Sequence, residues 1–163
     1  MIYLSAEKIN LRTPYRVKQV DDAVLCFTTK NGISYSVGFV HDVSIYENGV
    51  YQFFLINLSG RKGPKDENIF ETIRVIIEEF FASDEAVMLY ICDTTDGRQA
   101  SRDRLFRAWF YAYVESASYM MYSQTMIIDK VRYFSSLLMR KNHPLQKEVL
   151  ASFINFTEEH SEE

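Results

Sequence analysis

A cysteine and an arginine with the spacing of a phosphate-binding loop stand in the middle of the chain. Cys92 and Arg98 are separated by five residues, after a short apolar run that predicts a strand and before a segment that predicts a helix. In cysteine phosphatases a thiolate in this arrangement attacks phosphorus, while loop amides and the arginine hold the oxygens. Asp93 and Asp96 would repel a phosphate dianion, and Gln99 replaces the hydroxyl that helps the thiolate leave. A phosphate-ester-directed enzyme is therefore only the alternative interpretation.

The same two aspartates could instead bind a divalent metal. Mg²⁺ accepts as few as one or two carboxylates, and Glu78 or Glu79 could supply a third. A structural role is the stronger explanation, because Asp96 is placed to cap the following helix and Asp93 to stabilise a turn. We therefore predict no metal, no cofactor and no catalytic residue, and a metal-dependent enzyme stays within the alternative.

Two arginines after this turn could contact an anion. Arg98 and Arg102 share a helix face, where they repel each other unless an anion or a carboxylate lies between them. Lys62 or Lys65 could join them, although pairing with carboxylates or solvation is the simpler interpretation. The net charge of −4 argues against a nucleic-acid partner. If the chain binds a ligand, the candidate residues are Asp93, Asp96, Arg98 and Arg102.

Bulky side chains mark a second candidate region further along the chain. Tyr119, Met121 and Tyr122 fall in a run that predicts a peripheral strand with large groups on both faces. Exposed aromatic and methionine clusters are typical of interfaces. Burial of one face in the core, with a helix over the other, would explain the same residues. Our leading hypothesis is a non-enzymatic interaction or regulatory module that acts through a protein partner or as a homodimer.

The elements that must position these residues begin with hairpins. Asn31-Gly32 and Asn48-Gly49 each supply the dipeptide that favours a tight turn between strands. Apolar residues at helical spacing predict a helix after Asp66, and a second helix is expected from Arg98 to about Tyr113. In the second helix, Asp103 and Arg107 are four residues apart and can pair across one turn. We predict an α+β fold with a mostly antiparallel sheet, built from N-terminal hairpins and later strands, and about three helices packed largely on one face.

The region 131–140 is ambiguous, because its apolar residues would suit a helix as well as a strand. We prefer a strand paired with 119–128 through the short Asp129-Lys130 link. Pro144 suits the first turn of a last helix. The chain is expected to form a single domain over 1–163, with a mobile loop at 58–66 and a frayed acidic tail at 158–163.

Composition narrows the class of protein further. The 163 residues include 47% hydrophobic and 25% charged side chains, the balance of a packed globular domain. No apolar run is long enough to cross a bilayer, and the first residues lack the pattern of a signal peptide, so no membrane partner is expected. Cys26 and Cys92 are far apart and predict no disulfide framework.

Three stretches of the chain resemble a small family of uncharacterised bacterial proteins that is known only as a domain of unknown function. The resemblance implies a bacterial, cytoplasmic protein and carries over no activity, substrate or catalytic residue. The residues that carry it are Phe27–Tyr35, the run Cys92–Gln99 with Arg102, Arg104–Phe106 and Trp109–Phe110, and Asn142–Pro144.

Overall fold

The computed structural model describes residues 2–92, residue 97, residues 99–113 and residues 117–161, without the side chains of Gln99, Ser101, Arg102 and Tyr113. The helices are α1 (Ala6–Asn10), α2 (Glu67–Phe80), α3 (Gln99–Tyr113) and α4 (Gln146–Glu159). The strands are β1 (Lys18–Asp21), β2 (Val24–Thr28), β3 (Ser34–Asp42), β4 (Val50–Asn57), β5 (Val87–Ile91), β6 (Tyr119–Ile128) and β7 (Val131–Arg140).

The strands form a seven-stranded sheet in the order β1-β2-β3-β4-β5-β7-β6. Strands β4 and β5 run parallel, and the long connection between them includes α2, as a parallel pair requires. Antiparallel pairing joins β1 to β2, β2 to β3, β5 to β7 and β6 to β7. The predicted α+β class with a mostly antiparallel sheet is confirmed, and the ambiguous region 131–140 is a strand.

The chain divides into two compact units, the first of which comprises Met1–Val40 and Phe53–Ala86. In this unit the ring of Phe39 on β3 stacks on Phe80 of α2 at a centroid distance of 3.9 Å. Asp66 begins α2, because its side chain accepts the N–H of Asn68 at 2.9 Å and caps the helix. The capping carboxylate is buried and also accepts the hydroxyl of Tyr15. Burial and this hydrogen bond raise the pKa of Tyr15.

An acidic residue near the C-terminal end of α2 is unfavourable to the helix dipole, and the structure explains its presence there. The carboxylate of Glu78 binds the guanidinium of Arg12, just after α1, and that of Arg74 on α2 itself. Arg74 also pairs with Glu71, and this hydrogen bond lowers the pKa of the Glu71 carboxyl. The Glu78 carboxylate therefore already binds two guanidinium groups, so it is a poor candidate for a metal ligand.

The second unit comprises His41–Gln52 and Val87–Glu163. Its α4 packs on one face of the strands through a core cluster. On β5, Val87 and Leu89 belong to this cluster, whereas the ring of Tyr90, which points to the opposite face, stacks on Phe106 of α3 at 4.0 Å. Helices α3 and α4 therefore lie on opposite faces of this part of the sheet, which differs from the expected placement on one face. The buried members of the cluster are Ile45, Val50, Val87, Leu89, Leu137, Met139, Val149 and Phe153.

Two segments, 58–66 and 158–163, were expected to be mobile or frayed. Residues 58–65 form neither helix nor strand, and Asp66 is buried; the mobility of this loop stays a prediction. Helix α4 continues to Glu159, so the first two residues of the predicted tail are helical. The single-domain assignment stays a prediction. Among the described residues, no helix has the length and apolar character needed to cross a membrane.

Candidate functional site

The predicted ligand-binding turn falls largely outside the described residues. Asp93, Asp96 and Arg98 are not described, and neither is the side chain of Arg102. Cys92, which leads into the turn, is only 1% exposed, and its N–H donates to the carbonyl oxygen of Phe134 at 3.0 Å. A thiol this deeply buried is poorly placed to reach a phosphate ester. The described part of the turn therefore brings no set of candidate ligands together.

Several of the other charged residues named from the sequence form ion pairs. On α3, Nε of Arg107 lies 3.1 Å from Oδ2 of the buried Asp103, which confirms the predicted pairing across one helical turn. In the loop before α2, the ammonium of Lys65 lies 3.7 Å from the carboxylate of Glu67. In the part of the chain that the structure describes, no three His, Cys, Asp or Glu side chains are grouped so that they could hold a metal ion.

The three residues predicted as an interface separate onto two faces of β6. The ring of Tyr122 makes an edge contact with Phe153 of α4 at 6.3 Å and packs against the core cluster. Its neighbour Met120 lies on the same face, where its Sδ is 2.7 Å from Nε2 of Gln146. Tyr119 and Met121 point to the other face and are half-buried. Tyr122 thus contributes to the core. The side chains of these three residues therefore do not form one common surface on β6.

That surface is the open edge of β6. The strand is the last in the sheet order, and all of its ten residues pair with β7 in an unbroken antiparallel register. Ile128 and Val131 close the two-residue turn, so the even-numbered residues of β6 exchange hydrogen bonds with β7. The N–H of Ile127 instead donates to the hydroxyl of Ser161 at 3.2 Å. Odd-numbered residues therefore direct their backbone groups away from β7.

Three consecutive odd positions leave this edge unpaired. The backbone N–H and C=O groups of Met121, Ser123 and Thr125 point outward and find no partner among the residues that the structure describes. None of the ten side chains from Tyr119 to Ile128 carries a charge. We call the outward backbone groups of these three residues the β6 edge. Such an edge is a template on which another extended chain can pair.

Fold and site together define an α+β protein with a mostly antiparallel sheet that ends in the regular, uncharged strand β6. Residues 65–155 match the model of a family of unknown function, DUF6169, and the chain belongs to this family. The match extends from just before α2 into α4 and includes the whole β6 edge. The resemblance to a family of unknown function is thereby confirmed. No curated protein and no solved structure matches the chain significantly.

Sequence reasoning found the strand but not its edge. The run 119–128 has the apolar, β-prone composition of a strand, and three of its residues, Tyr119, Met121 and Tyr122, were selected for their bulk. The functional groups of the β6 edge are backbone groups, which every strand possesses. Only the position of β6 at the end of the sheet order makes them available. The absence of charge over ten residues was the one signal in the sequence that could have indicated an open edge.

Proposed function

We propose that this chain is a non-enzymatic interaction module that self-associates through the β6 edge. In the proposed dimer, β6 of one copy pairs antiparallel with β6 of a second copy, so that the sheet continues from one molecule into the next. The observation that carries the proposal is the outward-facing, unpaired backbone of Met121, Ser123 and Thr125 among the described residues, on a regular ten-residue strand. Strand addition to such an edge is a recurrent mode of protein recognition.

A second copy is the occupant that the composition of β6 favours. A two-fold axis through Ser123 would place Met121 of each copy opposite Thr125 of the other. Because β6 has no charged side chain, pairing it with itself brings no like charges together. Symmetric two-fold dimers are also the commonest oligomers. A contact of three to five residues a side is small, so we expect a dissociation constant on the order of 10 µM.

Concentration-dependent sedimentation tests the dimer directly. We expect the wild-type protein to shift from monomer to dimer between about 1 and 100 µM, bracketing the estimated affinity. Thr125 is exposed, and its outward N–H makes no bond to β7. Thr125→Pro removes this donor without removing a bond within the hairpin, and it should weaken dimerisation about tenfold or more. Thr125→Val leaves the backbone intact and is the matched control.

Two results would contradict self-association at this edge. One is a wild-type protein that remains monomeric over the whole concentration range. The other is a Thr125→Pro variant that dimerises as tightly as Thr125→Val while circular dichroism and melting show both to be folded. Val20→Pro in β1 is a second control, since it alters a short strand whose exposed residues include charges. We expect Val20→Pro to leave the association constant unchanged.

We further infer that the module acts in the bacterial cytoplasm. Cys26 and Cys92 are both free thiols, which suits a reducing compartment. The resemblance noted for the sequence supports a bacterial protein. A partner protein that offers its own extended strand would use the same edge. The net charge of −4 supports a protein partner over a nucleic acid.

The enzymatic alternative at the turn from Cys92 to Arg98 has less support. The thiol of Cys92 is buried, and the backbone N–H of this residue is bonded to β7. Hydrolysis of para-nitrophenyl phosphate is the direct assay, with Cys92→Ser as the variant. A hydrolysis rate that Cys92→Ser abolishes in a folded protein would establish the enzyme and displace the interaction module as the primary function.

A further inference from the structure

A serine just after α4 covers the backbone position that follows the β6 edge. The hydroxyl of Ser161 accepts the N–H of Ile127 at 3.2 Å, and Ile127 is the next outward-facing position after Thr125. Another strand that pairs with β6 would need this N–H as a donor. The β6 edge therefore stops at Thr125, because a side chain of the same molecule already uses the next donor.

Helix α4 fixes the position of Ser161, which lies two residues beyond the end of the helix. The N–H of Ser161 donates to the carbonyl oxygen of Glu158 at 3.4 Å. The ring of the intervening His160 stacks on Phe156 at a centroid distance of 4.2 Å, and Phe156 packs against the core cluster. The serine hydroxyl is therefore attached to a helix end that the core holds, and its contact with Ile127 is in place before a second copy arrives.

The side chains of β6 place no charge that could fix the register of an added strand. Because the strand is uncharged, sliding a second copy along it brings no ion pair and no like-charge contact. Only steps of two residues keep outward groups opposite outward groups and each side chain on its own face. The number of outward positions that both copies can use therefore decides the register. Tyr119 is the terminal residue of β6 and has an interaction elsewhere in the chain, so the positions are counted from Met121.

The contact of Ser161 leaves three usable positions, and they are symmetric about Ser123. A two-fold axis through Ser123 pairs all three positions of the β6 edge, which have no partner among the described residues. Sliding the second copy by two residues moves the axis to Gln124. In that register Met121 of one copy would face the covered Ile127 of the other, so only two pairs remain.

We propose that Ser161 determines the register of the β6 dimer by excluding Ile127 from the edge. The inference rests on the proposed self-association and adds the residue that specifies its geometry. Without the hydroxyl, Ile127 becomes a fourth usable position, and the four outward positions from Met121 to Ile127 are symmetric about Gln124. The two-fold axis then moves from Ser123 to Gln124, where four pairs form in place of three.

Hydrogen exchange in the dilute monomer tests the contact of Ser161 by itself. Ser161→Ala should accelerate exchange of the Ile127 amide about tenfold and leave that of the Thr125 amide unchanged, because only Ile127 donates to the hydroxyl. Ser161→Thr keeps a hydroxyl at this position and is the matched control, for which the Ile127 amide should exchange as in the wild type. An Ile127 amide that stays protected in Ser161→Ala would overturn the proposal.

Contacts between the two copies then report the register. In a mixture of isotope-labelled and unlabelled full-length protein, isotope-filtered nuclear Overhauser effects select protons on different copies. With the axis at Ser123, Tyr122 lies opposite Gln124 of the second copy, in a non-hydrogen-bonded pair with Cα atoms about 4.5 Å apart. With the axis at Gln124, Tyr122 lies opposite Met126 instead. We expect the first contact for the wild type and Ser161→Thr. Ser161→Ala should show the second contact, in a dimer about tenfold tighter.

The results separate this inference from the proposed function. If the wild type and Ser161→Ala share one register, or if the wild type already pairs Tyr122 with Met126, Ser161 does not determine the register and the inference is overturned, while the β6 dimer stands. If the wild type stays monomeric, or dimerises without contacts between the two β6 strands, the proposed function fails and the inference fails with it.

Discussion

The two outer strands of the sheet differ in length, regularity and charge, three properties that control pairing with another chain. Strand β1 has four residues, all exposed, and its register with β2 is irregular between Gln19 and Asp21. It carries charges at Lys18 and Asp21, and Oε1 of Gln19 accepts the N–H of Ala6 at 3.1 Å. Strand β6 has ten residues, a continuous register and no charge. Short length, irregularity and charge are the usual means by which proteins keep edges from associating.

The contrast indicates that the open edge is specific to β6 and is not a general property of the sheet. Both strands present backbone groups that their neighbours do not use, yet only β6 lacks all of the protective features. A strand that must avoid association would gain from a single charge or proline, and β6 has neither. The difference between β1 and β6 supports the β6 edge as a recognition surface, and three measurements test it.

The largest expected effect is an alternation of amide hydrogen exchange along β6. In dilute monomer, the outward amides of Met121, Ser123 and Thr125 should exchange about 100-fold faster than the inward amides of Tyr122 and Gln124, which bond to β7. Raising the protein concentration should slow hydrogen exchange of the outward amides only, because in the dimer they donate hydrogen bonds to β6 of the second copy. Equal exchange rates for the outward and inward amides would show that the β6 edge is already covered. The claim that β6 has an open edge would then fail.

A smaller effect is expected from Asp66→Ala, which should lower the free energy of unfolding without changing dimerisation. The substitution removes both the cap of α2 and the acceptor for the Tyr15 hydroxyl. We expect the free energy of unfolding to fall by about 2 kcal/mol, measured by urea denaturation. Asp84→Ala, at an exposed position, should change it by less than about 0.5 kcal/mol.

The association state of Asp66→Ala is a second measurement, which tests whether the β1 and β6 edges behave independently. Dimerisation through β6 should be unchanged in Asp66→Ala at concentrations of denaturant where the protein is folded. If Asp66→Ala associates in a new way, and adding Val20→Pro suppresses that association, β1 pairs with other chains once the first unit is less stable. In that case the protection of β1 would depend on the stability of the first unit and not on the strand itself.

The smallest effect is expected at the turn between β6 and β7. Asp129 and Lys130 both have positive φ, 51° and 64°, a conformation that costs energy for residues with a Cβ atom. Lys130→Gly should therefore raise the free energy of unfolding by about 0.5–1 kcal/mol, whereas Lys130→Ala should give no such gain. Because the turn is remote from the outward backbone groups, the dimer affinity should not fall. A weaker dimer would mean that strain at the turn helps to shape the edge.

Local chemistry made the strands and hairpins predictable from the sequence. The Asn31-Gly32 dipeptide forms the expected turn, with Gly32 at φ 73°, and the region 131–140 pairs with 119–128 through the expected two-residue link. The cap of α2 depends on a residue at the start of that helix. The pairing of Asp103 with Arg107 depends on two residues one helical turn apart. Such features follow from neighbouring residues and so are present in the sequence itself.

Long-range contacts account for what the sequence did not reveal. Glu78 binds Arg12 across 66 positions of the chain, so its role was invisible in the pattern of α2. The candidate turn at Asp93, Asp96 and Arg98 remains a prediction, because it lies outside the described residues.

Strand β6 depends on both kinds of information, its local sequence and its long-range contacts. Composition alone determined that residues 119–128 form an uncharged strand. Tertiary structure decided that β5 lies between β4 and β7, which leaves β6 at the end of the order. The outward backbone groups of Met121, Ser123 and Thr125 therefore have no partner among the described residues.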